Sequence, residues 1–210
     1  MNKGIVVVGA GGHAKVCIEL LRDTGYEVSW CVGGEDSPDS CLGVPVCRGD
    51  DHLVRLRNEG FTHAFVALGA NRLRQRLHVY LGELGYERVN AVSPRACVSA
   101  TAQLGAGVAV MAGAVINAET TIGDATIINT GATIDHDGVI GAAVHIAPQC
   151  ALAGNVRVGD MAFLGLGTKV IPGCDIGAGA ITGAGAVVVS DIDPDVTAVG
   201  VPARVIKKHF

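Results

Sequence analysis

Residues 104–146 read LGAGVAVMAGAVINAETTIGDATIINTGATIDHDGVIGAAVHI, with an aliphatic side chain at every sixth position: Leu104, Val110, Ile116, Ile122, Ile128, Ile134, Ile140 and Ile146. The same register runs without insertion from Val92 to Val188, and sixteen of its seventeen positions are Ile, Leu or Val; Thr182 is the exception. Those three residue types make up only slightly more than a quarter of the chain, so composition cannot produce the pattern. A slower period lies on top of it, because Gly105, Gly123, Gly141, Gly159 and Gly177 each follow a register residue at intervals of eighteen. Three hexads per turn predict a triangular parallel β-helix. Its interior is expected to hold ladders such as Val92, Val110, Ile128, Ile146 and Leu164, stacked about 4.8 Å apart.

The first ninety residues obey different rules. IVVVG (5–9) is a buried-strand run ending in glycine, and AKVCIELLRD continues it with helical spacing of apolar residues. EVSWCV and THAFVALG read as further strands, DDHLVRLRNEG as a short helix, NRLRQRLHVYLGELG as a helix opened by Asn71, and ERVNAV as a final strand. GGEDSPDSCLGVP reads as a polar loop. Strands separated by helices imply a small parallel sheet covered on both faces. The expected organisation is therefore a Rossmann-like α/β domain over 1–91, followed by an all-β domain over 92–210 that includes a C-terminal tail.

Bulk properties remove several classes of function. The net charge of −4 and pI near 5.9 come with scattered basic residues, which disfavours a nucleic-acid footprint. Hydrophobic residues reach 49%, yet no uncharged apolar run approaches the roughly 18–20 residues that span a bilayer, and the start lacks a signal-peptide cleavage pattern. The expected location is cytoplasmic. Seven cysteines without a C-x-x-C pair fit neither a disulfide framework nor a zinc ribbon.

GAGGHAK, residues 9–15, forms a glycine turn between strand and helix, where a phosphate can approach backbone amides at a helix N-terminus. The acidic residue that often holds a ribose at the end of the second strand is missing: Gly33 and Gly34 stand there, and Glu35 comes only in the loop. Arg72, which ends VALGANR, and Arg74 and Arg76 lie in the helix there and read as a solvated face or as a source of one phosphate contact.

The hexads, together with VVVGAGGHAKV, NTGATIDHD, AGNVRVG and GVPARVI, resemble the left-handed β-helix (hexapeptide-repeat) acyltransferases. The subgroup they look like is that of nucleotide-amino-sugar N-acetyltransferases and sialic-acid-type O-acetyltransferases. That resemblance implies acetyl-coenzyme A as the acyl donor, no metal, a nucleotide-linked 4-amino-4,6-dideoxy sugar (UDP- or GDP-linked) as acceptor, and bacterial polysaccharide or glycan synthesis as the setting. It also implies a homotrimer with active sites between neighbouring β-helices.

By the same resemblance His136 is the general base and Asp137 its acidic partner. The chemistry agrees, since acyl transfer needs a nucleophile that has lost a proton, and a neutral imidazole can take one near pH 7. Asp135 and Asp137 flank His136 equally in the sequence, so Asp135 competes for the orienting role. The resemblance assigns His145, Gly154, Leu166 and Ala184 to acetyl-coenzyme A, and Gly11, Gly12, His13 and Gly69 to the sugar nucleotide. Lys169, Arg204, Lys207 and Lys208 are expected near coenzyme phosphates or in solvent. A sialic-acid-type O-acetyltransferase and a non-catalytic trimeric sugar-nucleotide-binding protein are the alternatives.

Overall fold

The computed structural model describes residues 4–209, and the chain divides into two compact units between Pro94 and Arg95. In the first unit, β1 (Ile5–Val8), β2 (Val28–Gly33), β3 (Ser40–Cys41), β4 (Val44–Arg48), β5 (His63–Val66) and β6 (Glu87–Arg88) form a sheet of order β3-β4-β2-β1-β5-β6. Every pairing is parallel except the β3–β4 hairpin. Three helices connect the strands: α1 (Gly12–Asp23), α2 (Asp51–Asn58) and α3 (Asn71–Glu83).

Alternation along β1 sends its side chains to opposite faces. Val6 and Val8 pack with Leu53 and Leu56 of α2, Leu77 and Leu81 of α3, and Tyr86. Ile5 and Val7, also fully buried, point the other way; α1 lies against β1 and β2 and buries Cys17, Ile18 and Leu21.

The expected loop over 33–45 needs correction. It contains β3, and β4 adds a fifth parallel strand beside β2. The hairpin turns on Leu42 and Gly43, both at positive φ (48° and 77°), as a two-residue turn between antiparallel strands requires. Pro45 and the short apolar run hid β4, whose pairing with β2 begins only after the proline, at Val46. Asn71 sits just inside α3, with Ala70 as the N-cap.

The second unit is a parallel β-helix of two-residue strands. One ladder runs through Ala109–Val110, Ile127–Ile128, His145–Ile146, Phe163–Leu164 and Ile181–Thr182 to Val196–Val199. A second joins Cys97–Val98, Val115–Ile116, Thr133–Ile134, Ala151–Leu152, Lys169–Val170 and Val187–Val188. A third joins Gln103–Leu104, Thr121–Ile122, Val139–Ile140, Arg157–Val158 and Asp175–Ile176. Each step advances eighteen residues except the last of the first ladder, where Ile181 pairs with Thr197, and from Val110 to Val188 every register side chain is buried.

The eighteen-residue glycine period has a steric cause. A Cβ on Gly123 would lie 2.6 Å from the amide nitrogen of Ala142, and one on Gly159 would lie 2.5 Å from that of Ala178, both in the next coil. Gly105, Gly141 and Gly177 meet the following coil's backbone in the same way. Thr182, the one polar register residue, is buried but satisfied: its hydroxyl is 2.7 Å from that of Thr168 and accepts the Gly165 N–H at 3.1 Å. The last strand, Arg204–Lys208, turns back antiparallel on Val196–Val199.

Candidate functional site

His136 lies in the turn after Thr133–Ile134, where the chain leaves one ladder for the next. Asp135 is engaged there through one carboxylate oxygen. Its Oδ1 accepts the Asn117 side-chain amide at 3.0 Å and the His136 backbone N–H at 2.9 Å, and these bonds hold its carboxyl below the usual carboxylate range. Asp137, in the left-handed region at φ 59°, turns the other way and places Oδ2 2.7 Å from His136 Nδ1. That bond is the main cause of an upward shift of the imidazole pKa; desolvation opposes it, and the charges of Asp135 and Asp137 add to it. Donation from Nδ1–H to Asp137 leaves Nε2 as the lone-pair acceptor.

The coil above closes on the same ring. The Asn155 N–H donates to the His136 carbonyl at 2.9 Å. A Cβ on Gly154 would sit 2.6 Å from both Cε1 and Nε2 of His136. Gly154 therefore gives the imidazole its space. Both side chains of the His136–Asp137 pair remain about half exposed, open to a substrate.

A different face carries His145. It is 9% exposed in the first ladder, between Ile127 below and Phe163 above, with Phe163 edge-on at 5.2 Å between ring centroids. Asn129, to which the sequence pattern gives no role, brings its side-chain amide 3.0 Å from His145 Nε2. Leu166 and Ala184 are exposed in successive turns after this ladder, stacked through the Gly185 N–H to Leu166 carbonyl bond of 2.7 Å. The assigned residues thus fall into two groups on different faces: His136, Asp137 and Gly154 in one, His145, Leu166 and Ala184 in the other. Lys169, Arg204, Lys207 and Lys208 are exposed.

In the first unit a cavity of about 350 Å³ opens where the chain leaves β1, β2 and β5. The sheet order reverses at β1, and open α/β sheets place ligands at such a point. Gly11 lines it together with Gly33, Gly34, Ser37 and Asp50. A Cβ on Gly11, Gly12 or Gly69 would meet nothing within 4 Å, so protein packing does not demand these three glycines. Gly9 differs: its φ is 126° and a Cβ would lie 2.6 Å from the Ala67 carbonyl oxygen.

His13, in the first turn of α1, has its pKa lowered to about 4 by burial and then by Arg74, so it is neutral. Arg74 corrects the reading of a solvated arginine face, for it is only 1% exposed. Its guanidinium donates to the carbonyls of Leu68 and Gly69, both at 3.0 Å, and to Asn71 Oδ1 at 2.8 Å, pinning the turn after β5. Among the described residues no group of three or more His, Cys, Asp or Glu side chains is placed to hold a metal ion. No helix of the described residues is long and apolar enough to cross a membrane.

Known proteins match both units. Residues 4–81 match the PglD N-terminal domain family. The whole chain superposes on a histidine-to-asparagine variant of perosamine N-acetyltransferase from Caulobacter crescentus, in complex with CoA and GDP-perosamine, with a TM-score of 0.95. The two are 52% identical, and the match covers 97% of this chain and 96% of that one. This chain belongs to the left-handed β-helix sugar acetyltransferases. The acetyltransferase domain of PglB from Neisseria gonorrhoeae, in complex with acetyl coenzyme A, matches at 38% identity over 98% of this chain and 100% of that one, with a TM-score of 0.91. A protein of Schizosaccharomyces pombe named as an acetyltransferase is 47% identical over 53 residues, 25% of this chain. The matched stretch spans about a quarter of that relative, 26% of its length.

Proposed function

We propose that the chain transfers the acetyl group of acetyl-coenzyme A to the amino group of a nucleotide-linked 4-amino-4,6-dideoxy sugar. The observation that carries this reading is the His136–Asp137 pair, 2.7 Å apart, on the face of a β-helix whose fold is that of sugar acetyltransferases. His136 Nε2 takes the proton from the attacking nitrogen as that nitrogen bonds to the thioester carbonyl carbon. Asp137 steadies the imidazolium, as a carboxylate on Nδ1 does in other acyl-transfer sites. The tetrahedral intermediate then collapses by breaking its C–S bond, and coenzyme A leaves as the thiol or thiolate.

Gly11 and its neighbours at the start of α1 suit the diphosphate, whose charge favours a helix N-terminus. His145, Leu166 and Ala184 on their separate face suit the coenzyme. A homotrimer would bring that face of one copy to His136 of the next, which is the assembly proposed. The seven free thiols suit a reducing compartment such as cytoplasm.

The test is thiol release from acetyl-coenzyme A against UDP-, GDP- and dTDP-linked 4-amino-4,6-dideoxy sugars, with His136→Ala in parallel. Turnover on one of them that is lost in the variant is the expected result. Turnover on sialic acid alone would replace the proposal with O-acetylation, and undiminished turnover in His136→Ala would remove its base.

A further inference from the structure

The cavity of the first unit holds few polar side chains, and two of them form an unusual pair. Asp50 occupies the N-cap position of α2, where an aspartate ordinarily accepts an N–H of the first turn. Its carboxylate makes no such bond among the described residues. It borders the cavity instead, with Oδ2 3.9 Å from Arg76 Nη2. At that separation, and with both groups half exposed or more, the pair contributes little to stability. Each keeps its hydrogen-bonding capacity for something else.

We infer that Asp50 and Arg76 read the base of the nucleotide, and that the base is guanine. The inference rests on the sugar-nucleotide reading of this cavity and deepens it. With the diphosphate at Gly11, the nucleoside extends toward β2, where a carboxylate would commonly hold the ribose. Gly33 cannot supply one, since a Cβ there would lie 2.2 Å from the Ser37 hydroxyl oxygen. Ser37 fills that space, on a loop tied by its N–H to the Gly34 carbonyl at 3.0 Å and by Arg48 Nε to its own carbonyl at 2.9 Å. Its hydroxyl stands where the missing carboxylate would be, against the ribose. Beyond it the cavity reaches Asp50 and Arg76, which also border a wider groove of about 780 Å³. A two-ring base has room there.

The chemistry of the pair selects among bases. A carboxylate is an acceptor with two oxygens and a guanidinium is a donor only. Guanine offers N1–H and N2–H side by side, with the O6 acceptor next to them, so Asp50 accepts twice while Arg76 donates to O6. Uracil and thymine offer one N–H between two carbonyls. Against them, one oxygen of Asp50 faces an acceptor.

Equilibrium binding of GDP, inosine diphosphate, UDP and dTDP to the full chain tests this. One bidentate pairing with a base is worth about tenfold in affinity, so GDP is expected to bind about tenfold or more tighter than the other three. Inosine diphosphate matters most, because it lacks only the N2 amino group. In Asp50→Asn the GDP advantage collapses while UDP binding holds, and Arg76→Gln weakens GDP and inosine diphosphate alike. Equal binding of GDP and inosine diphosphate, or an equal loss for all four ligands in Asp50→Asn, overturns the assignment. If none of the four binds, the sugar-nucleotide reading of the cavity falls and takes this one with it. A uridine or thymidine preference overturns the base assignment alone.

Discussion

Gly154→Ala adds one methyl group and tests whether the coil above His136 sets the position of its ring. Built on the present backbone, the new Cβ lies 2.6 Å from Cε1 and Nε2 and 3.2 Å from Nδ1. Non-bonded carbon atoms settle near 3.5–4.0 Å, so the imidazole must withdraw by about 1 Å. It can do so, because its side chain is 56% exposed and solvent lies beyond it. Moving the ring off its rotamer costs about 0.5–1.5 kcal/mol, and the fold should survive with little loss. Catalysis should not, since a 1 Å misplacement of a reacting group costs on the order of a hundredfold. Withdrawal also stretches the 2.7 Å bond to Asp137 that raises the imidazole pKa. The expected outcome is a kcat down about a hundredfold, a nearly unchanged melting temperature, and a His136 pKa that falls in an NMR titration. An unchanged kcat and His136 titration would refute the steric reasoning. A rise in KM for acetyl-coenzyme A alone would leave Gly154 with only a coenzyme role.

The remaining predictions concern both units. Asp137→Asn removes the main cause of the raised His136 pKa; a base works unprotonated, so the acid limb of kcat/KM should move to lower pH while the plateau falls, and an unmoved limb would count against the pair. Gly159→Ala drives a Cβ to 2.5 Å from the Ala178 amide nitrogen, a backbone atom that cannot step aside. It should lose about 1–3 kcal/mol in thermal or denaturant unfolding, whereas wild-type stability would show that the coils tolerate spreading. Arg74→Met leaves the Leu68 and Gly69 carbonyls without their donor, which should cost about 1–3 kcal/mol. The same change removes a charge that lowers the His13 pKa, so that pKa should rise from about 4 in an NMR titration.

Much of the fold was legible because the hexad register is a direct record of which side chains point inward. The slower period carries more than the fold. Residues eighteen apart are vertical neighbours, so Asn117 with Asp135, His136 with Gly154, His145 with Phe163 and Leu166 with Ala184 are all touching or stacked positions encoded in spacing. Asn117 in particular removes Asp135 from the contest for His136. What spacing could not reveal was direction. Asp135 and Asp137 flank the histidine symmetrically in sequence, and only the positive φ of Asp137 aims its carboxylate at Nδ1. In the first unit Arg74 looked like its exposed neighbours Arg72 and Arg76, because carbonyl acceptors waiting in a turn leave no mark on an arginine's sequence context.

Each short strand of the β-helix bonds only to the strands one coil before and one coil after it. The domain therefore behaves as a one-dimensional stack whose coils loosen from the ends, where a coil has a neighbour on one side only. Thr133–Ile134, which leads into His136, is third of six in its ladder. Fraying at either end can run through whole coils before it reaches the imidazole, so His136 is anchored in the part of this unit that opens last.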